Sequence, residues 1–368
     1  MNKDDLCDAF GQIDDQYIME ADRIRNTNTK TTYYFHQFKF AFIVPITICL
    51  FLIIQSMMMQ PNLEVLQYST IQPGGFGIAT IYAQDLRELE VDNPWKKGMK
   101  LDKLPVYRND VTYGEHEVTK EKKQQMRKQI AYYQTIFKDM KIFEENDALL
   151  IAENEDVQIS VDENLTTFLY FNKAIPLPDQ YAFYSHASKE DLYEAGQYLV
   201  KTYKDIIRMK HPTVVTKEEL DVYDQETLEL TSYEVFVYEQ ASSIEEQMVN
   251  YGTSRAHFYC DEKHQLSMIR IETIDKDAYV DDYPIMDIED ATNAFLNQHP
   301  TIAKKDILKT ELQYEKNINQ PYVLPYYKFY IDAKDKSMLL TEIPNDIYMM
   351  ETYRIPAIQQ DYIKEIGE

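Results

Sequence analysis

The sequence predicts an α+β protein: a single N-terminal transmembrane helix followed by an extracytoplasmic region of repeated helix-then-antiparallel-strand units. Three observations lead there. One uninterrupted apolar run stands near the N-terminus, Lys and Arg are unequally distributed about it, and beyond it helical periodicity alternates with clusters of short β-branched and aromatic stretches.

The apolar run is FAFIVPITICLFLIIQSMMM, Phe40–Met59. About twenty helical residues span the ~30 Å hydrocarbon layer of a bilayer. No charge interrupts the run, and Pro45 and Thr47 are tolerated inside such spans. Tyr33, Tyr34, Phe35 and Phe38 precede it, as an interfacial aromatic belt would. The 39 residues ahead of the run are too many for a cleaved leader, and no small-residue cleavage site follows, so an uncleaved signal anchor is expected. Lys3, Arg23, Arg25, Lys30 and Lys39 lie before the run, whereas no Lys or Arg lies between Gln60 and Leu86. The positive-inside rule then puts the N-terminus in the cytoplasm, the anchor in the cell membrane, and residues 60–368 outside.

Five stretches are expected along the chain. Residues 1–39 form a cytoplasmic amphipathic helix and linker, 40–59 the membrane span, 60–103 an extracytoplasmic tether, 104–180 a first α+β unit, and 181–368 the second and third units. The tether reading rests on the turn-rich QPGGFG and VDNPWKKGMK. The first unit opens with a helix over 119–141, whose Met126, Ile130, Tyr133, Phe137 and Met140 step by four and three along one face. The second opens at Ser188, an N-cap with Asp191 as its capping-box partner, and is expected to end before Pro212. The third opens at Asp287 and stops at Pro300. Hairpin-length gaps between the strands favour antiparallel pairing throughout. LPVYR (Leu104–Arg108) and LPYYK (Leu324–Lys328) read either as edge strands with tyrosines on show, because proline is confined to sheet edges and strand starts, or as strands whose tyrosines are half-buried sheet positions.

A net charge of −24 excludes wrapping of nucleic acid, which needs clustered Lys and Arg. Cys7, Cys49 and Cys260 fall in tail, span and outer part, so no disulfide closes within the outer part. No hydrolase elbow, phosphate-cradling loop or zinc-protease helix occurs. CDEKH, with Cys260 and His264, reads as a hairpin turn, and the acidic DKDAYVDDY as a solvated loop. No metal, cofactor or catalytic residue is assigned, a non-enzyme is expected, and with it no deep pocket of convergent polar groups. One basic face runs against the overall charge: Lys120, Lys122, Lys123, Arg127 and Lys128 on the first helix are candidates for contact with an anionic wall polymer or lipid.

In the tail, Leu6, Phe10, Ile13, Tyr17, Ala21 and Ile24 make an apolar stripe, with acids at the helix start and Arg23 and Arg25 at its end. A lone amphipathic helix is marginal in water, so this stripe needs a cover. Residues 4–22 carry seven acids and no base, which suits a basic protein groove better than the negative inner leaflet. Phe10, Ile13, Asp14, Asp15, Tyr17 and Ile18 are the candidate partner contacts.

The tail core, with Ile13, Asp14, Asp15, Ile18, Glu20 and Ala21 in an IDD-x-x-I-x-EA pattern, resembles the N-terminal segment of uncharacterised single-pass Firmicute membrane proteins, some treated as anti-sigma-factor-like. LPVYRN, MIRI, YPIMDIEDA, LPYYKFYI and YRIPAI in the outer part look like pieces of the same proteins. The layout is also broadly similar to that of membrane-anchored regulators of cell-wall sensor kinases. The His/Cys zinc motif of many anti-sigma domains is not present. The resemblance implies a membrane-anchored regulatory or signalling protein with an outer sensing or docking domain and a cytoplasmic helix that binds a regulatory protein, a sigma factor or kinase-like. An extracellular binding or envelope-assembly protein with the tail as a simple anchor is the alternative, and an envelope enzyme a weaker one.

Overall fold

Strands dominate wherever one parity of side chains is apolar. In RAHFYC, Ala256, Phe258 and Cys260 turn into a core while Arg255, His257 and Tyr259 turn to the other face; in QLSMIRI, Ile269 and Ile271 turn inward while Met268 and Arg270 do not. A computed structural model describes residues 63–68, 81–83, 92–109, 119–145, 149–181, 188–216, 234–261, 263, 265–316, 320–332 and 348–365. They belong to one unit, Leu63–Glu368. The acidic tail with Phe10, Ile13, Asp14, Asp15, Tyr17 and Ile18, and the apolar run Phe40–Met59, lie outside the described residues. Among the described residues no helix is long and apolar enough to cross a membrane.

In chain order the elements are β1 (Leu66–Tyr68), β2 (Ile81–Ala83), β3 (Lys103–Arg108), α1 (Lys120–Ile136), β4 (Lys141–Glu145), β5 (Leu149–Glu153), β6 (Val157–Asp162) and β7 (Thr167–Pro176). Then come α2 (Lys189–Thr202), α3 (Lys204–Ile207), β8 (Pro212–Val215), β9 (Glu234–Glu239), α4 (Ile244–Thr253), β10 (Arg255–Cys260), β11 (Gln265–Ile271) and β12 (Tyr279–Pro284). The last are α5 (Ile288–Gln298), β13 (Ile307–Glu315), β14 (Tyr322–Asp332), β15 (Tyr348–Pro356) and β16 (Ile363–Glu365).

These strands form two large sheets, and that corrects the expected fold class. An eight-stranded antiparallel sheet runs β4-β5-β6-β7-β11-β10-β9-β8. A six-stranded sheet runs β12-β3-β14-β15-β2, with β13 also on β14. The unit is mostly β-sheet, and helix-then-strand units do not repeat as bodies. Strands expected in the first and second units merge into the large sheet, because β7 pairs with β11 rather than closing off its own unit. β3 leaves the first group altogether and pairs with β12 and β14. Local periodicity gave the strands, but their neighbours are chosen by long-range burial, which a period of two does not encode.

Other expectations shift for the same reason. The stretch read as a tether contributes β1 and β2, and Asn93 and Trp95 within it are buried. β1 pairs with β16 in parallel, against the all-antiparallel expectation, through Leu66↔Ile363. Neither LPVYR nor LPYYK is an edge: β3 lies between β12 and β14, and β14 lies among β13, β15 and β3, with Tyr326 and Tyr327 buried. Part of the acidic DKDAYVDDY is strand β12 rather than loop.

The helices cover one face of the large sheet. Met126, Ile130 and Tyr133 of α1, and Ala195 and Leu199 of α2, join Ile159, Leu169, Val237, Phe258 and Ile269 in one core. The caps follow the sequence: Ser188 and Asp191 form a reciprocal capping box, and Asp287 accepts from the Glu289 and Asp290 amides. The second helix stops at Thr202, short of Pro212; after α3 the chain turns at Arg208 with φ 58°, and Pro212 opens β8.

A helix that periodicity does not reveal joins the two sheets. α4 lies in the chain between β9 and β10 of the large sheet, yet it packs on β13 of the small one. Its Met248 and Val249 enter the core of the small sheet, beside Leu312 and Tyr314. Gly252 makes the close approach: a Cβ there would sit 2.7 Å from the Tyr314 Cβ and would collide with the Tyr314 carbonyl oxygen. Alanine would gain up to ~1 kcal/mol of helix propensity, but overpacking against a fixed backbone costs ~1–3 kcal/mol or more. Gly252→Ala is therefore expected to destabilise the protein in urea denaturation. The loss should exceed that of Gly196→Ala, whose added Cβ would meet only valine side chains, the nearest atom being Val214 Cγ1 at 2.5 Å. An equal or smaller loss at Gly252 would show that the helix can lift off β13 without cost.

Candidate functional site

Pleating sets the face of the large sheet opposite α1 and α2. Register aligns Phe168 of β7 with Arg270 of β11, Arg270 with His257 of β10, and His257 with Phe236 of β9. The row is packed side to side. The Arg270 guanidinium lies 5.8 Å from the Phe168 ring centre, and His257 stacks on Phe236 at 5.3 Å. Two pairs further along, on the same face, Arg255 faces Glu272 through reciprocal backbone bonds of 3.1 and 2.8 Å.

Glu272 is the charged centre of this face. Its carboxylate accepts from Arg255 Nε at 2.9 Å and from an Arg270 amino group, and His257 Nε2 lies 3.8 Å away. Burial works to raise its pKa, yet the nearby His257 imidazole and the two arginine charges outweigh it and hold the carboxyl well below its usual range. The second sheet supplies the facing wall: Gln313, Tyr314 and Glu315 of β13, and Arg354 of β15, whose Nε donates to Glu315. The β6–β7 turn adds Asp162, Asn164 and Thr166, and the end of α4 adds Tyr251, Gly252 and Thr253. Together they enclose a cleft of about 340 Å³ between the two sheets.

Lys316, the residue after β13, crosses this cleft. Its ammonium donates to the Thr273 carbonyl at 2.9 Å and to the Asn164 carbonyl, both on the large-sheet side. Burial lowers its pKa to about 8, against the opposing pull of Asp162. Asp162 in turn is raised, first by burial, although it accepts the Thr166 amide at 2.7 Å. The small sheet also carries charge inward from the cleft: register aligns Arg354 with Lys328 and Lys328 with Glu311, and Glu311 is bonded by Lys309 at 2.7 Å and by the Tyr330 hydroxyl at 2.8 Å. Lys328 and Glu311 are both buried.

The sequence predicted no pocket of convergent polar groups, and this cleft with its shifted Glu272, Asp162 and Lys316 departs from that expectation; the candidate residues the sequence singled out fall elsewhere. Lys120, Arg127 and Lys128 are exposed on α1, but Lys122 and Lys123 are half-buried, and Arg127 is paired with Glu145. The five therefore do not form one open basic face. Cys260 is buried at the end of β10, which pushes its thiol up to about 12, so it is a poor metal ligand or nucleophile. Among the described residues no cluster of three His, Cys, Asp or Glu side chains is placed to hold a metal. His264 and the tail residues lie outside the described residues.

No protein-family model matches the chain, and no curated protein matches it.

The cleft offers both signs of charge, held in place by opposite partners, with two aromatic walls. It has hydrogen-bond donors and acceptors for a small polar ligand. Part of its charge is visible in R-A-H (Arg255–His257) and R-I-E (Arg270–Glu272), where ionisable residues alternate with core ones, but no local pattern joins them to the second sheet.

Glu272 makes the folded state sensitive to acid. Its folded pKa is depressed, so its contribution is present above the unfolded carboxylate value of ~4.3 and is lost as pH falls below that. Glu272→Gln is expected to cost roughly 1–3 kcal/mol near neutral pH. The variant should also have a flatter stability profile than the parent between about pH 5 and about pH 3, read by denaturant titration at each pH. A parallel pair of profiles would remove Glu272 from the acid response.

Proposed function

We propose that the chain is a membrane-anchored regulatory or signalling protein. The folded unit is its extracytoplasmic sensing or docking domain, and the acidic tail is its cytoplasmic partner-binding helix. The observation that carries this reading is the order along the chain. An uncharged apolar run of bilayer length ends at Met59, with its Lys and Arg on the N-terminal side, and the unit with the polar cleft begins at Leu63.

The cleft supports a sensing role over a purely adhesive one, because it is a concave polar site rather than an exposed patch. The tail supports an inward connection: its apolar stripe calls for a cover, and its charge calls for a basic one. The partner class is a cytoplasmic regulatory protein, sigma-factor or kinase-like, as the resemblance of the tail implies. On α1 the exposed Lys120 and Lys128 are what is left of the basic face for a secondary contact with anionic wall polymer or lipid.

Two measurements test this. Protease added to intact, wall-stripped cells should digest the part after residue 60 and spare the first 39 residues. Protection of the C-terminal part would reverse the orientation. With residues 1–39 as bait, a cytoplasmic protein should be captured, and Ile13→Asp should weaken the capture about ten- to a hundredfold, since burying an isoleucine is worth ~1.5–3 kcal/mol. Equal recovery with wild type and Ile13→Asp baits would reduce the tail to an anchor.

A further inference from the structure

The inter-sheet cleft is narrow in what it can accept. Arg255, Arg270, Lys316 and Arg354 stand there against Asp162, Glu272 and Glu315. A simple anion entering would meet three carboxylates, and a simple cation would meet four cationic groups. A molecule that carries both charges meets each with its opposite. Building on the folded unit as a sensing domain, we propose that this cleft binds a small zwitterion of the amino-acid or short-peptide class, with its carboxylate toward Arg270 and Arg354 and its ammonium toward Asp162.

Access and size agree. Arg270 keeps 36% of its side-chain surface exposed against 12% for Glu272, so the guanidinium rather than its acid meets an incoming group, while Arg354 at 21% and Glu315 at 19% are equally open. A guanidinium presents five donors in a planar fork, so one held by a carboxylate can still take a second acceptor. Burial raises Asp162, and an ammonium beside it would relieve that cost. Phe168 and Tyr314 provide apolar wall for a side chain. A cavity of about 340 Å³ is at the small end of ligand sites, which run from about 300 Å³ upward.

The test is calorimetric titration of the full chain in detergent micelles with glycylglycine and with phenylalanine, against acetate and methylammonium as single-charge controls. Saturable binding of at least one zwitterion is expected, with neither control binding. Arg354→Gln and Asp162→Asn should each weaken it about tenfold or more, with melting temperatures recorded alongside to show that the variants are folded. Selectivity in the unaltered protein decides the question even if a variant unfolds. Zwitterion recognition is overturned if neither zwitterion binds, or if acetate or methylammonium binds as tightly. Failure here with the tail still capturing its partner would leave the regulatory reading standing, and zwitterion binding with a reversed topology would do the opposite.

Discussion

The seat of α4 on β13 is the contact on which the arrangement of the sheets depends. The helix is covalently part of the large sheet, since it links β9 to β10, but its Met248 and Val249 are buried with the small sheet. Only a residue without a side chain lets Gly252 lie against the Tyr314 backbone. The Tyr314 hydroxyl then reaches the Pro105 carbonyl of β3 at 2.7 Å, so the same residue ties the helix seat to a further strand. Interiors are packed to crystal-like density, and a shift of one methyl group at such a joint is transmitted rather than absorbed.

The cleft is a consequence of this joint. Two sheets joined at one helix keep separate apolar cores and leave the ends of β11, β13 and β15 facing one another. Those ends carry Arg270, Glu272, Glu315 and Arg354. Charged groups in such a place are costly unless they are paired, and they are paired: Glu272 by two arginines, Glu315 by Arg354, and Lys316 by two carbonyls from the opposite sheet. Lys316 is thus a strut as well as a lining residue. A ligand that competed for these charges would act on the joint itself, which would give the proposed sensing role a physical route from binding to a change in how the sheets meet.

In this acidic chain four of the 38 Lys and Arg side chains line the cleft, beside three carboxylates. Field lines from an acidic surface repel free anions at long range, while a zwitterion has no net charge to be repelled. The same balance of signs disfavours nucleic acid, which agrees with the overall charge.

By itself the sequence determined what is local. It set the apolar run, the face of α1 and the caps at Ser188 and Asp287, because periodicity and capping act over a few neighbouring residues. α4 stayed hidden because its buried positions serve two different cores and so show no single clean stripe. Only the tertiary structure decided that β7 pairs with β11, that β3 crosses to the small sheet, and that Asn164 meets Lys316 across 152 residues. The cleft lies on this second side of the line. Its charges come from separate strands that read locally as ordinary sheet, and they become a site only when burial of the two cores brings the sheet ends together.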